Sequence, residues 1–280
     1  MPAGTDNILK KLEEQKRKEG ALPPLLEFYQ RLLRIQSEAE QHIGVSKPGL
    51  SSKTINQRIE QGLPLVAFDE LDLDWSLLPD IFAKVGAVFA EYPQLFGQLP
   101  ESLKDSGHFL TREIIKAWFD GSRLPATINE PLLDSIIQAT LSPFLVSYSK
   151  ALLGYVNQER WRRRYCPVCG GNPDFAFLDK ERGARWLLCS RCDAEWLFQR
   201  LECPYCGTTD QNALAYFTDD EGLYRLYVCE RCKRYLKAID LRQAKSEVLM
   251  PLERLLTLDL DAQAKEHGYS PCDKASTASS

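Results

Sequence analysis

Residues 165–171 read YCPVCGG and residues 202–208 read ECPYCGT. Each phrase is followed further along by another Cys-x-x-Cys pair. The chain therefore carries Cys166, Cys169, Cys189 and Cys192, and then Cys203, Cys206, Cys229 and Cys232. A Cys-x-x-Cys turn points two sulfurs at one ion while nearby amides donate to them, and two such turns complete a tetrahedral S4 site. Gly170 and Gly207, directly after the first pair of each set, permit the tight turn there. The expectation is two metal ions, each held by the four thiolates of one repeat, because a short ribbon closes locally at lower loop entropy than a crossed arrangement. Such a set suits zinc and a rubredoxin-like iron alike. It leaves no open position for water or substrate, which argues against hydrolytic zinc chemistry and against an enzyme. The ninth cysteine, Cys272, lies alone in a polar tail and reads as a spare thiol.

The elements that must position these sulfurs form an internal repeat. YCPVCGGNPDFAFLDKERGARWLLCSRCDAEW aligns with ECPYCGTTDQNALAYFTDDEGLYRLYVCERCKRYL. Between the cysteine pairs Phe175, Phe177, Trp186 and Leu188 alternate as strand residues do, as do Ala213, Ala215, Phe217, Leu226 and Val228. Gly183 and Gly222 mark the hairpin turns. Each ribbon is too small to hold itself by apolar burial, so metal binding supplies its folding free energy, on the order of 10 kcal/mol for a structural zinc module.

Everything before residue 165 lacks cysteine and has helical periodicity instead. Leu25, Phe28, Leu32 and Ile35 mark a helix from Leu25 to about His42, started by Pro23 and Pro24. After the connection KPGLSSK the pattern resumes at Ile55 and Ile59. It returns from Leu77 to Tyr92, closed by Pro93, and at about 108–120 with Ile114, Ile115, Trp118 and Phe119. A last helix is expected from Asn129 as cap to about Arg164, kinked by Pro143. His42 and His108 form no acid–base constellation. The fold class is thus α+β: an N-terminal all-helical bundle, 1–160, followed by two tandem rubredoxin-like or zinc-ribbon modules, 161–198 and 199–245.

Composition narrows the function classes. Of 280 residues 44% are hydrophobic and 26% charged, with a net charge of -4. That is ordinary globular composition with no run that spans a bilayer, and the charged amino terminus is unlike a signal peptide. A cytoplasmic protein with no membrane insertion is expected, and there clustered cysteines point to metal rather than disulfides. The net charge disfavours nucleic acid. The run RWRRR at 160–164 keeps a zinc-ribbon nucleic-acid-binding protein as an alternative, although no aromatic-basic alternation builds a stacking platform. A rubredoxin-like redox protein is the other alternative.

The stretch CPVCG…GARWLLCSRCDAEWLFQRLECPYC…CERCKRYLKAID resembles the FdhE family of formate dehydrogenase accessory proteins, in the order of its cysteine pairs and in Glu195, Trp196 and Arg200 before the third pair. GLPLVAFDELDLDW resembles a short patch of the family's helical half, and LERLLTLDLDAQAKEHGY the helix that follows its ribbons, here 246–270, leaving 271–280 as a disordered-looking tail. The resemblance implies a cytoplasmic maturation factor for respiratory formate dehydrogenase. It would bind the catalytic subunit before export and carry a rubredoxin-like site holding iron. Glu195, Trp196, Arg200 and Arg185 are the candidate partner-binding residues, against an equally simple role in packing between the ribbons.

Overall fold

The computed structural model describes residues 5–43, 50–104, 109–122, 124 and 130–272. His108, the expected cap Asn129 and the tail from residue 273 lie outside them. Contacts divide the chain into two units, one spanning 4–46 and 67–147, the other 47–66 and 148–276.

The helical unit contains α1 (Thr5–Glu19), α2 (Pro24–His42), α4 (Leu78–Ala90), the single turn α5 (Pro93–Phe96), α6 (Arg112–Phe119) and most of α7 (Glu130–Leu152). Its core follows the apolar stripes. Leu26, Leu32 and Leu33 of α2 are buried with Phe82, Val85 and Phe89 of α4, and Phe28 meets Phe89 edge-on at 4.9 Å between centroids. Thr111 caps α6 by accepting from the Ile114 amide. Inside α7, Pro143 has no N–H to give the carbonyl of Ala139. Gln36 of α2, buried, reaches across and donates to that oxygen at 2.9 Å. The helix continues through the proline to Leu152.

The expectation of one helix from Asn129 to about Arg164 is corrected here. α7 ends at Leu152, a 3-10 turn follows over Leu153–Tyr155, and a separate short helix α8 occupies Gln158–Trp161. Gly154 weakens helix continuation, and the Asn157 side chain accepts from the amides of Glu159 and Arg160, starting a new helix instead.

The second unit is built on six strands: β1 (Pro173–Leu178), β2 (Arg185–Cys189), β3 (Glu195–Phe198), β4 (Leu214–Thr218), β5 (Tyr224–Cys229) and β6 (Arg234–Asp240). They make one sheet in the order β3-β2-β1-β6-β5-β4. Within each repeat the pairing is antiparallel. Between repeats β1 runs parallel to β6, with Phe175 opposite Lys237 and Leu178 opposite Asp240. The two ribbons are thus halves of a single sheet, set side by side in the same sense. Phe177 and Trp186, directly opposite in β1 and β2, stack with planes 5° apart. The short helix α3 (Ser52–Gln61) also belongs to this unit. Two further helices, α9 (Met250–Leu256) and α10 (Leu258–Glu266), occupy the segment expected as one C-terminal helix, with Thr257 at the break.

Candidate metal centres

The thiols gather within each repeat. Cys166, Cys169, Cys189 and Cys192 place their sulfurs within 4.8 Å of one another, and so do Cys203, Cys206, Cys229 and Cys232. In the first set Cys166–Cys192 and Cys169–Cys189 are 3.5 Å apart; in the second Cys203–Cys232 and Cys206–Cys229 are 3.7 Å apart. A tetrahedron with metal–sulfur bonds of about 2.3 Å has sulfur–sulfur edges of roughly 3.8 Å, so either set could close on a zinc- or iron-sized ion with small adjustment. The first set is buried throughout, whereas Cys206 and Cys232 of the second are partly exposed.

Local backbone geometry aims these sulfurs. The amide of Val168 donates to Cys166 Sγ, that of Arg191 to Cys189 Sγ and that of Tyr205 to Cys203 Sγ, each at 3.4 Å. After the second cysteine of every pair the chain turns through positive φ: Gly170 at 73°, Asp193 at 52°, Gly207 at 70° and Lys233 at 54°. Glycine adopts this region freely, whereas Lys233 does so against the steric preference of an L residue. Burial pushes the Cys166 and Cys192 thiols well up, while hydrogen bonds from the other three sulfurs hold Cys169 well down. Four ionised thiolates in that enclosure therefore require a cation among them.

Three supports for the first centre were not legible in the cysteine pattern. Residues 62–66 run beside its first turn: the amides of Leu65 and Val66 donate to the carbonyls of Pro167 and Val168, and the Tyr165 hydroxyl donates to the Gly62 carbonyl. Pro64 lies 3.0 Å from where a Cβ on Gly170 would stand, so that position is closed to larger residues on two counts. Arg254 of α9 donates to the Cys189 carbonyl at 3.0 Å and pairs with Asp174 and Asp193. Buried Lys237 of β6 donates to the carbonyls of Arg254 and Thr257 and to Asp261, which fixes α9 and α10 on the sheet. The backbone pairing of 62–66 has no side-chain signature, and an isolated arginine in an amphipathic helix carries none either.

Of the four candidate partner residues, Arg185 and Arg200 line one pocket beside Cys203 and Tyr227, whereas Glu195 and Trp196 are not part of it. Trp196 is fully buried and its indole N–H donates to the Arg163 carbonyl at 2.8 Å. Arg185 is buried, donates to the carbonyls of Gln199 and Glu202, and lies over the rings of Phe198 and Tyr227. Burial pulls its guanidinium down to about 10. Glu195 is half-buried, and loss of solvent raises its carboxyl. Arg200 is exposed. The arginines of 160–164 are engaged within the chain: Arg160 with Glu60, Arg162 with Glu159, Arg163 over the Trp161 ring, and Arg164 with the Tyr205 carbonyl. Among the described residues no helix is long and apolar enough to cross a membrane.

Comparison with known proteins agrees with this architecture. Residues 165–200, which span the first thiol set, match the family model described as FdhE, central domain. The chain is 29% identical over 250 residues to a protein FdhE homolog of Aquifex aeolicus, covering 88% of this chain and 85% of that one. It is 26% identical over 232 residues to the homolog of Pseudomonas aeruginosa, covering 79% and 72%. The crystal structure of the FdhE protein from Pseudomonas aeruginosa shares the fold, with a TM-score of 0.65 at 23% identity over 98% of this chain and 95% of that chain. The chain is thus similar to FdhE proteins along both its helical half and its cysteine repeats.

Proposed function

We propose that this protein is an accessory factor for the maturation of a respiratory formate dehydrogenase, that it works in the cytoplasm, and that it binds the catalytic subunit of that enzyme. The observation that carries the reading is the pair of converging four-thiol sets in one sheet, the first of them within the segment that matches the FdhE central domain. Cys166, Cys169, Cys189 and Cys192 hold one ion and Cys203, Cys206, Cys229 and Cys232 the other, iron or zinc. Complete thiolate sets give an ion no open coordination position, so the metals act as folding cross-links and the protein performs no reaction of its own. The nucleic-acid alternative loses its main support because the arginines of 160–164 already have partners.

Deleting the gene tests this. The formate dehydrogenase polypeptide should remain at its normal level while its activity falls, and the purified accessory protein should retain the catalytic subunit in a pull-down. Loss of the polypeptide itself, or full activity without the accessory protein, would count against a role after synthesis.

A further inference from the structure

We infer that the outer edge of β4 is a binding site for an extended segment of a different protein, which joins the sheet parallel to β4 as a seventh strand.

The inference follows from the way the two repeats are joined. Corresponding positions can be read from the register: Arg185 of β2 and Arg225 of β5 stand opposite Leu178 and Thr218, so β1 and β4 are equivalent strands. β1 is covered on its outer side by β6, running parallel, and its residues are almost all buried. β4 is the last strand of the sheet, and four of its five residues are exposed. Tyr216 and Phe217 are 51% and 52% exposed, a large apolar area for a strand that lies in the position of a core strand.

Hydrogen-bond parity shows which groups face outward. The Asp219 amide bonds to the Tyr224 carbonyl and the Glu230 amide to the Ala213 carbonyl, so the odd-numbered residues of this strand face β5. The even-numbered ones face away. The Leu214 amide is taken by the Gln211 carbonyl, which leaves Tyr216 and Thr218 presenting their backbone groups, and among the described residues no strand meets them. Their equivalents in β1 are Ala176 and Leu178, and there the Leu178 carbonyl accepts from Leu241 just beyond β6.

The repeat also specifies the visitor's chemistry. Opposite β1, β6 supplies Lys237, Ala238, Ile239 and Asp240, and two residues past its end Arg242, held by Asp240, lays its guanidinium against the turn of the first hairpin, 2.8 Å from where a Cβ on Gly183 would stand. At the equivalent turn, Gly222, nothing lies within 4 Å, and Asp219, Asp220 and Glu221 surround it, with Lys245 4.0 Å from Glu221. By the same pattern, an extended strand with apolar residues at its centre, followed by a cation, fits that turn by shape and charge. The other edge of a second copy, β3, is a poor source of such a strand, because its Leu197 amide is taken by the Gln158 side chain of α8. The occupant is defined by this chemistry whichever protein carries it, so the inference stands apart from the identity of the client proposed above.

The probe is a synthetic peptide with the sequence of residues 234–242, RYLKAIDLR, titrated into the metal-loaded full chain labelled with nitrogen-15. The peptide should bind with a Kd on the order of 100 μM, move the amide signals of β4 and slow hydrogen exchange at Tyr216 and Thr218 by about tenfold or more. Tyr216→Pro removes an outward N–H without touching the β5 ladder and should weaken binding by about tenfold. Phe217→Ser, which leaves the backbone intact, should weaken it several-fold. Metal content and thermal unfolding identify any variant that has lost its fold. The inference is overturned if the reversed sequence binds equally well, if the peptide perturbs only residues away from β4, if the Tyr216 amide is already protected in the free monomer, or if the protein is a dimer closed through β4.

Discussion

At the scale of single residues the two candidate metal centres differ in how far solvent reaches them. All four sulfurs of the first set are buried, while Cys206 and Cys232 of the second are partly exposed. A chelator attacks through an exposed ligand, so the second ion should leave first. Limited chelation should take the protein from two ions per chain to one, and Cys206→Ser should start at one and release it only slowly, as elemental analysis would show. Equal release from both sites, or a Cys206→Ser protein that loses its remaining ion at the fast rate, would contradict the assignment. Lys233 offers a second test at this scale. Its left-handed backbone carries a penalty of about 1–2 kcal/mol relative to glycine, against less than about 1 kcal/mol for its exposed pair with Glu230. Lys233→Gly should therefore raise the unfolding midpoint by a few degrees, and a fall would show that the side chain matters more than its backbone. The convergence of the eight thiols in two sets was legible because Cys-x-x-Cys spacing states its geometry directly. The left-handed Asp193 and Lys233 were not, since nothing in their type announces positive φ.

At the scale of elements, the periodic helices were readable where one face is apolar, as in α2 and α4. α1 was not, because its apolar positions are few within a charged stretch, although Ile8 and Leu12 are buried. The strands expected from alternation were those adjoining Gly183 and Gly222. β3 and β6 escaped, and with them the fact that the ribbons share one sheet, because a parallel pairing between distant strands leaves no local signature. The α2–α7 contact supplies a prediction here. Pro143 frees the Ala139 carbonyl and Gln36 satisfies it inside the helical unit. Gln36→Leu leaves that oxygen buried and unpaired and should destabilise the protein by about 1–3 kcal/mol in denaturant unfolding. With Pro143→Ala in place the helix supplies its own donor, and Gln36→Leu should then cost much less. An unchanged cost in the Pro143→Ala background would mean that Gln36 acts by packing alone.

At the scale of the whole molecule the question is which surface would meet the proposed client. The sequence placed four residues near the second turn of the first ribbon, and the structure sorts them by accessibility. Trp196 and Arg185 are buried and bonded to backbone carbonyls, so replacing either should disturb the fold before it disturbs an interface. Glu195 and Arg200 keep solvent contact, and neither supplies a sulfur to a centre. If the proposed client contact runs through them, the double variant Glu195→Ala, Arg200→Ala should weaken capture of the formate dehydrogenase catalytic subunit, because charged groups desolvated at an interface lose about 2–5 kcal/mol on truncation. Exposed charges contribute within about 0.5 kcal/mol to stability, so metal content and unfolding should stay near those of the parent. Arg254→Ala gives the opposite pattern: its guanidinium ties α9 to the Cys189 carbonyl and to Asp174 and Asp193, so stability and retention of the first ion should fall together. A double variant that captures the subunit and restores activity like the parent would reduce Glu195 and Arg200 to ribbon surface. A parent protein that never captures the subunit would instead remove the client itself from the proposal, while leaving the metal centres and the open β4 edge as they stand.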